Sequence, residues 1–177
     1  DGLDLDRFDD FAHPIGVFND MGEMIGHVRL INAPDPFMIE DDFSELLPAD
    51  GSFRKTPGMA ESTRICVRKD YRTARVCGMT MAHLLYKAIY RWSRVMDGAD
   101  SMVTIIEQNY YLYLKRFYPF RPLADFAPLG DGVMSGIVLL DWNELEEKLR
   151  ARRPGFFNWL NELQPLVPSR RLPRALY

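Results

Sequence analysis

Four residues in one apolar segment carry the clearest chemical signal. Glu61-Ser-Thr-Arg64 sits in a run otherwise made of Ile65, Cys66 and Val67. Side chains alternate along a flat strand, so Glu61 and Arg64 would face opposite sides. A bulge would turn them to one side, and bulges are common beside active sites. A half-buried carboxylate near a guanidinium suits a general base, provided its surroundings leave it ionised yet basic. The same spacing also fits a plain ion pair on a sheet surface.

Other candidates flank this segment. Val67-Arg-Lys-Asp-Tyr-Arg72 runs into Arg75-Val-Cys-Gly78, which we expect to open a long helix. A strand, a loop with Arg and Gly, and a helix N-terminus would aim free N–H groups at one point, suiting a phosphate such as that of a pantetheine arm. Gly78 also fits close packing alone. Asp6 and Asp9 bracket Arg7-Phe8, with Asp4 and Asp10 nearby. Clustered carboxylates suit a sulfonium or ammonium, or simply a solvated loop; no calcium-loop pattern is present. His13, His27 and His83 are scattered and receive no catalytic role. Tyr110, Tyr111, Tyr113, Phe117, Tyr118 and Phe120 lie around Lys115 and Arg116. They could stack nucleobases, but helical spacing favours a core face plus a pocket wall.

These residues need a scaffold. Residues 14–19 and 23–32 read as strands around a turn at 20–22, and Pro34, Asp35 and Pro36 break the chain. Helical turns are expected over 40–47, a loop over 49–58 and a strand over 60–68. Cys77, Met81, Leu84, Ala88, Trp92 and Val95 fall at helical spacing, so one helix is predicted over 73–96 and ended by Gly98. Then follow a strand over 101–107, a Tyr-rich helix over 109–118, a strand over 132–140 and a charged helix over 142–153 before Pro154. From Gln164 onward a Pro-rich tail is expected to wrap the surface. Strands interleaved with helices, with hairpin strands early, point to an α/β or α+β sheet packed by helices.

The 177 residues fit one domain with a real core, and 47% hydrophobic with 27% charged residues argues against disorder. Without an apolar run of about 20 residues, no membrane span is expected. Cys66 and Cys77 do not make a disulfide framework and read as buried thiols of a cytoplasmic protein. The net charge of −3 hides an asymmetry: residues 1–50 hold thirteen of the 25 acids but only two of the 22 bases, Arg7 and Arg29. The basic remainder suits an anionic partner: an acidic protein, a phosphate-bearing molecule or a nucleic acid.

Together the segments resemble the autoinducer synthase family. Asp4-Leu-Asp6-Arg-Phe-Asp9 resembles its acidic motif, Gly26-His-Val-Arg29-Leu its Gly-x-x-Arg-Leu strand, and Pro36-Phe-Met-Ile with Phe43-Ser-Glu-Leu-Leu47 its Pro-x-Met-Leu and Phe-Pro-x-Leu segment. Glu61-Ser-Thr-Arg64-Ile-Cys-Val is similar to its Glu-Ser-Ser-Arg-Phe strand. The resemblance covers residues 2–141 and implies an acetyltransferase-like single domain: a mixed, twisted sheet splayed into a V, with helices on both faces.

It further implies an acyltransferase that moves an acyl chain from acyl carrier protein to the amine of S-adenosylmethionine and closes the lactone. Glu61 would be the base; Asp6, Asp9, Arg29 and Arg64 would organise the S-adenosylmethionine end; and Phe43 would line the site. Thr104 would meet a 3-oxo group. The acyl chain would run past Met79, Met102, Tyr110 and the strand over 133–139. Lys115 and Arg116 would dock the carrier protein. The resemblance requires neither metal nor redox cofactor and no nucleic acid. An Arg, a Phe and a Trp are expected upstream of the acidic motif, on a native N-terminal helical segment. The rival readings are an N-acyl amino acid synthase, an acetyl-CoA-dependent acetyltransferase and a non-catalytic nucleic-acid module.

Overall fold

The computed structural model describes residues 5–33, 35–130 and 132–162; Asp4, Pro34 and the Pro-rich stretch from Gln164 lie outside them. The chain runs β1 (His13–Phe18), β2 (Met24–Asn32), α1 (Met38–Asp41), a 3-10 turn at Ser44–Leu46, and β3 (Met59–Val67). Next come β4 (Arg75–Val76), β5 (Met79–Thr80), α2 (Met81–Arg91) and β6 (Ser101–Glu107). The chain continues through α3 (Gln108–Leu114), β7 (Arg121–Pro122), β8 (Ala127–Leu129), β9 (Val133–Asp141), α4 (Trp142–Arg152) and α5 (Pro154–Asn161). Among the described residues no helix is long and apolar enough to cross a membrane.

The main sheet has the order β1-β2-β3-β6-β9-β7, with β8 also on β9. All pairings are antiparallel except β3 with β6, which run parallel for three residue pairs, Met59–Glu61 against Ser101–Val103. Beyond Glu61 and Val103 the two strands part, and the sheet opens into the expected V.

Alternation builds a core on each face. Val28, Leu30, Met102, Ile106, Val138 and Leu140 point to one face, where α2, α4 and α5 cover them with Leu85, Tyr86, Ile89, Trp142, Leu145, Leu149 and Leu160. Ile31, Met59, Val103 and Ile137 point to the other, under Phe8, Phe37, Ile39 and Leu46 from the acidic turn, α1 and the 3-10 turn. Helices therefore lie on both faces, the long ones all on the first.

The helix expected over 73–96 begins instead at Met81. Cys77 and Gly78 take φ of 50° and 80°, so the chain turns back as a hairpin, Arg75↔Thr80 and Val76↔Met79. Positive φ at consecutive residues marks a tight hairpin turn rather than helix. Helical spacing across Cys77 and Met81 was a coincidence of that turn. Thr80 then caps α2, its hydroxyl facing the His83 backbone N–H and Nδ1. The helix ends in a π turn, Trp92–Asp97, closed by Gly98 at φ 73°. Similarly, the Tyr-rich helix spans only Gln108–Leu114, and Pro154, expected to end the charged helix, also starts a further helix, α5, for which no element was expected. Both cysteines are exposed. Cys77 lies in the hairpin turn, and Cys66 follows the bulge described next, which shifts the alternation it was read on.

Candidate active site

Arg64 has φ 53°, and the β2–β3 register slips between His27↔Cys66 and Arg29↔Thr63. This bulge puts Arg64 on the same side as Glu61 and Thr63. An Arg held at positive φ is strained; its guanidinium reaches the Asp6 carboxylate at 2.9 Å.

The same carboxylate belongs to a compact ionic group. Arg29, 1% exposed on β2, donates to Asp6 (2.6 Å), Asp9 (2.8 Å) and the Thr63 hydroxyl (2.9 Å). The turn holding the acids folds on itself, the Phe8 N–H donating to Asp6 and the Asp6 N–H to Asp9. Burial would raise the Asp6 carboxyl, but its bonds to Arg29, Phe8 and Arg64 bring it down to about 2. Asp6 and Asp9 are thus ion-paired with Arg29, and Asp6 also with Arg64.

Glu61 stands beside this group, fully buried at the last rung joining β3 to β6. Its two oxygens accept the backbone N–H groups of Met38 (2.6 Å) and Ile39 (3.1 Å), the first residues of α1. Burial pushes its carboxyl from 4.5 up to about 7, against the opposing pull of those N–H groups and of Arg29. A buried carboxyl half-ionised near neutral pH is suited to move a proton at that pH.

A cleft of about 750 Å³ runs through the V. On the α1 face its wall includes Met38, Phe43, Glu61, Thr63 and Arg64; toward α2 and α3 it includes Ser62, Thr80, Ala82, Tyr86, Tyr110 and Tyr113. Thr104 spans the apex, its buried hydroxyl donating to the Ser62 carbonyl at 2.8 Å. Tyr110 and Tyr113 stack at 6.1 Å, and burial pushes the Tyr110 hydroxyl up to about 12.

The structure therefore gathers Glu61, Arg64, Phe43, Thr104 and Tyr110 on one cleft, with Asp6, Asp9 and Arg29 behind its polar wall. Met79 is not among the lining residues: it pairs in the β4–β5 hairpin, and Thr80 and Ala82 take that wall. Met102 is core, and the far strand gives way to Leu129 as the cleft boundary. Of the phosphate site expected over 67–78, the helix N-terminus at 75–78 is not formed, because Arg75 donates to the Gly78 carbonyl within the hairpin and α2 starts at Met81, whereas Val67 and Arg72 do line the cleft. Lys115 and Arg116 are exposed past the end of α3, Lys115 lying over the Tyr111 ring. Met38, Thr63, Ser62 and Tyr86 were missed. Met38 stood within a quoted motif, but nothing in a sequence tells that its N–H, rather than its side chain, meets Glu61.

Known proteins share the sequence pattern and the fold of this chain. The chain is 31% identical over 166 residues to an acyl-homoserine-lactone synthase of Agrobacterium fabrum, covering 89% of this chain and 74% of that one. By fold it is similar to BjaI, a CoA-dependent acyl-homoserine lactone synthase solved with SAM and isopentyl-CoA (TM-score 0.67, 18% identity, 84% of this chain and 70% of that one). It is also similar to FeeM, an N-acyl amino acid synthase from uncultured soil microbes (TM-score 0.56, 19% identity, 82% and 80%). The sequence matches the family described as autoinducer synthase over residues 1–132. By that match, and by its likeness to the Agrobacterium enzyme, the chain belongs to the autoinducer synthase family of enzymes.

Proposed function

We propose that the protein transfers an acyl chain from acyl carrier protein to the amine of S-adenosylmethionine and closes the product to an N-acyl-homoserine lactone in the cytoplasm. The observation that carries this reading is Glu61: a buried carboxyl held near pKa 7 at the rung where the sheet begins to splay. It faces the α1 side, whereas Ser62 and Tyr86 line the other. The acceptor amine would enter from the α1 side, beside Arg64 and Phe43, and the thioester from the α2–α3 side.

Glu61 takes a proton from the ammonium, through water, and the freed amine attacks the thioester carbonyl. Backbone N–H groups at the inner edges of β3 and β6, past their last shared rung, are the donors for the oxyanion. The carbon–sulfur bond breaks and the pantetheine thiol leaves with the proton. The acceptor's carboxylate then attacks the carbon next to sulfonium, closing the lactone and expelling methylthioadenosine. No step calls for a metal or redox cofactor. Asp6, Asp9 and Arg29 position the wall against which the acceptor rests. Thr104 already gives its proton to Ser62, so toward an acyl chain its hydroxyl is left as an acceptor.

Lys115 and Arg116 offer positive charge to an acidic carrier protein. The fold shared with a CoA-dependent synthase supports coenzyme A as the second candidate carrier of the same pantetheine arm. Purified protein given S-adenosylmethionine with acyl carrier protein thioesters or acyl-CoA should release acyl-homoserine lactone and methylthioadenosine, read by mass spectrometry. Acylation of a plain amino acid without methylthioadenosine would replace this reading with that of an amino acid acylase.

A further inference from the structure

Three consecutive peptide N–H groups open α1, and two carboxylates share them. Phe37 donates to Glu40 at 3.1 Å, whereas Met38 and Ile39 donate to Glu61. α1 is a single turn of four residues, too short to hold its shape without outside contacts. One ammonium supplies several of them. Lys55, in the loop before β3, pairs with the Glu40 carboxylate, donates to the Asp35 carbonyl at 3.2 Å and lies 4.5 Å from the centre of the Phe37 ring. Phe37 is fully buried in the core on this face of the sheet. The Glu40 charge also acts on Glu61 directly. Burial raises the Glu61 carboxyl most, the Met38 and Ile39 N–H groups and Arg29 lower it, and Glu40 raises it again. Arg64, on the same side of β3, is paired with Asp6, and β6 opposite brings Met102 and Val103, which carry no charge. Glu40 and Lys55 stand outside the Arg29–Asp6–Asp9 group, so their charges can change without dismantling it.

We propose that Glu40 and Lys55 are positioning residues for Glu61: their ion pair fixes the start of α1, hence the two N–H groups that the Glu61 carboxyl rests on, and offsets the negative charge beside it. The consequence for the reaction rests on the reading of Glu61 as the base. Removing Lys55 leaves Glu40 uncompensated and loosens α1, and both effects disfavour the Glu61 carboxylate. Removing the Glu40 charge while keeping its acceptor oxygen does the reverse, because only the positive Lys55 then remains. The two partners of one ion pair should therefore move Glu61 in opposite directions. Loss of packing alone would not do that.

The test titrates the intact protein by NMR of carbon-labelled Glu carboxyls, with Glu61→Gln identifying the Glu61 signal, and follows kcat/KM over the same pH range. Lys55→Met should raise the Glu61 midpoint by about 0.5–1 pH unit and Glu40→Gln should lower it by about as much, a modest effect because the pair is partly exposed. Lys55→Arg, which keeps the charge, should return the midpoint toward wild type. The Glu40→Gln/Lys55→Met double variant should fall between the two single variants. Midpoints that move in the same direction in both single variants, or in neither, would overturn the proposal. So would a Lys55→Arg midpoint equal to that of Lys55→Met. The NMR midpoint needs no turnover, so the two readings fail separately. Opposite NMR shifts that kcat/KM does not follow would leave the hold of the pair on Glu61 standing and refute Glu61 as the base.

Discussion

Replacing Glu61 by Gln keeps shape and removes the proton site, and its consequences follow from two numbers. The folded carboxyl holds its proton to about pH 7, the ordinary one to 4.5. Between those values the native state binds more protons than the unfolded one, so stability falls as pH rises through the window and levels off above about 7. At about 1.4 kcal/mol per pH unit, the whole span amounts to about 3 kcal/mol. Glu61→Gln has nothing to ionise and should lack this decline. Urea unfolding at pH 5 and pH 8 should therefore show the variant gaining about 2–3 kcal/mol on wild type between the two, while turnover with saturating substrates drops at least about 100-fold. In wild type, kcat/KM should rise toward alkaline pH with an apparent pKa near 7. A wild-type-to-variant stability difference equal at pH 5 and pH 8 would show that the carboxylate is not desolvated. Near-normal turnover of the variant would remove Glu61 as the base.

Arg29→Met should cost about 3 kcal/mol in urea unfolding, because it strips Asp6, Asp9 and Thr63 of their shared donor. Asp6, held at about 2 against its ordinary 3.8, contributes stability that is present above pH 3.8 and lost as pH falls through 2. The deficit of Asp6→Asn, about 1–2 kcal/mol at pH 7 after discounting for partial exposure, should thus vanish near pH 2. Thr104→Ala removes the hydroxyl that bridges to the Ser62 carbonyl and should lower stability by about 1 kcal/mol in the same assay. Arg116→Glu should raise KM for an acyl carrier protein thioester, with an effect that fades in salt, and leave KM for S-adenosylmethionine unchanged.

The strands beside the V were legible as short runs rich in β-branched and apolar residues between turn and break residues: β6 falls at 101–107 as expected, and β2 at 24–32 against the expected 23–32. Glu61 and Arg64 were legible too, together with the need for a bulge to bring them to one side. What stayed hidden depends on backbone at positive φ and on main-chain groups. Cys77 in a left-handed conformation converts a helical pattern into a hairpin, and no apolar spacing reports it. The partners that set the Glu61 carboxyl are peptide N–H groups, which every residue owns. Asp6 and Asp9 were found, but their neutralisation by Arg29 required a contact across 20 or more residues. Met79 was misplaced by the same helix error that moved the start of α2.

The parallel seam between β3 and β6 also dictates an order of assembly. β1, β2 and β3 form antiparallel neighbours in sequence order, whereas Glu61 meets Val103 only after the intervening hairpin and α2 have looped out. Closing a loop of that length costs entropy before any contact repays it, so non-local parallel pairing is slow. With only three residue pairs to zip, the junction of β3 and β6 should close after the β1–β2–β3 meander has formed. The carboxylate sits on its final rung. During refolding, secondary structure should therefore recover ahead of substrate binding, and a partly folded chain would hold most of its architecture while having no cleft in which to acylate anything.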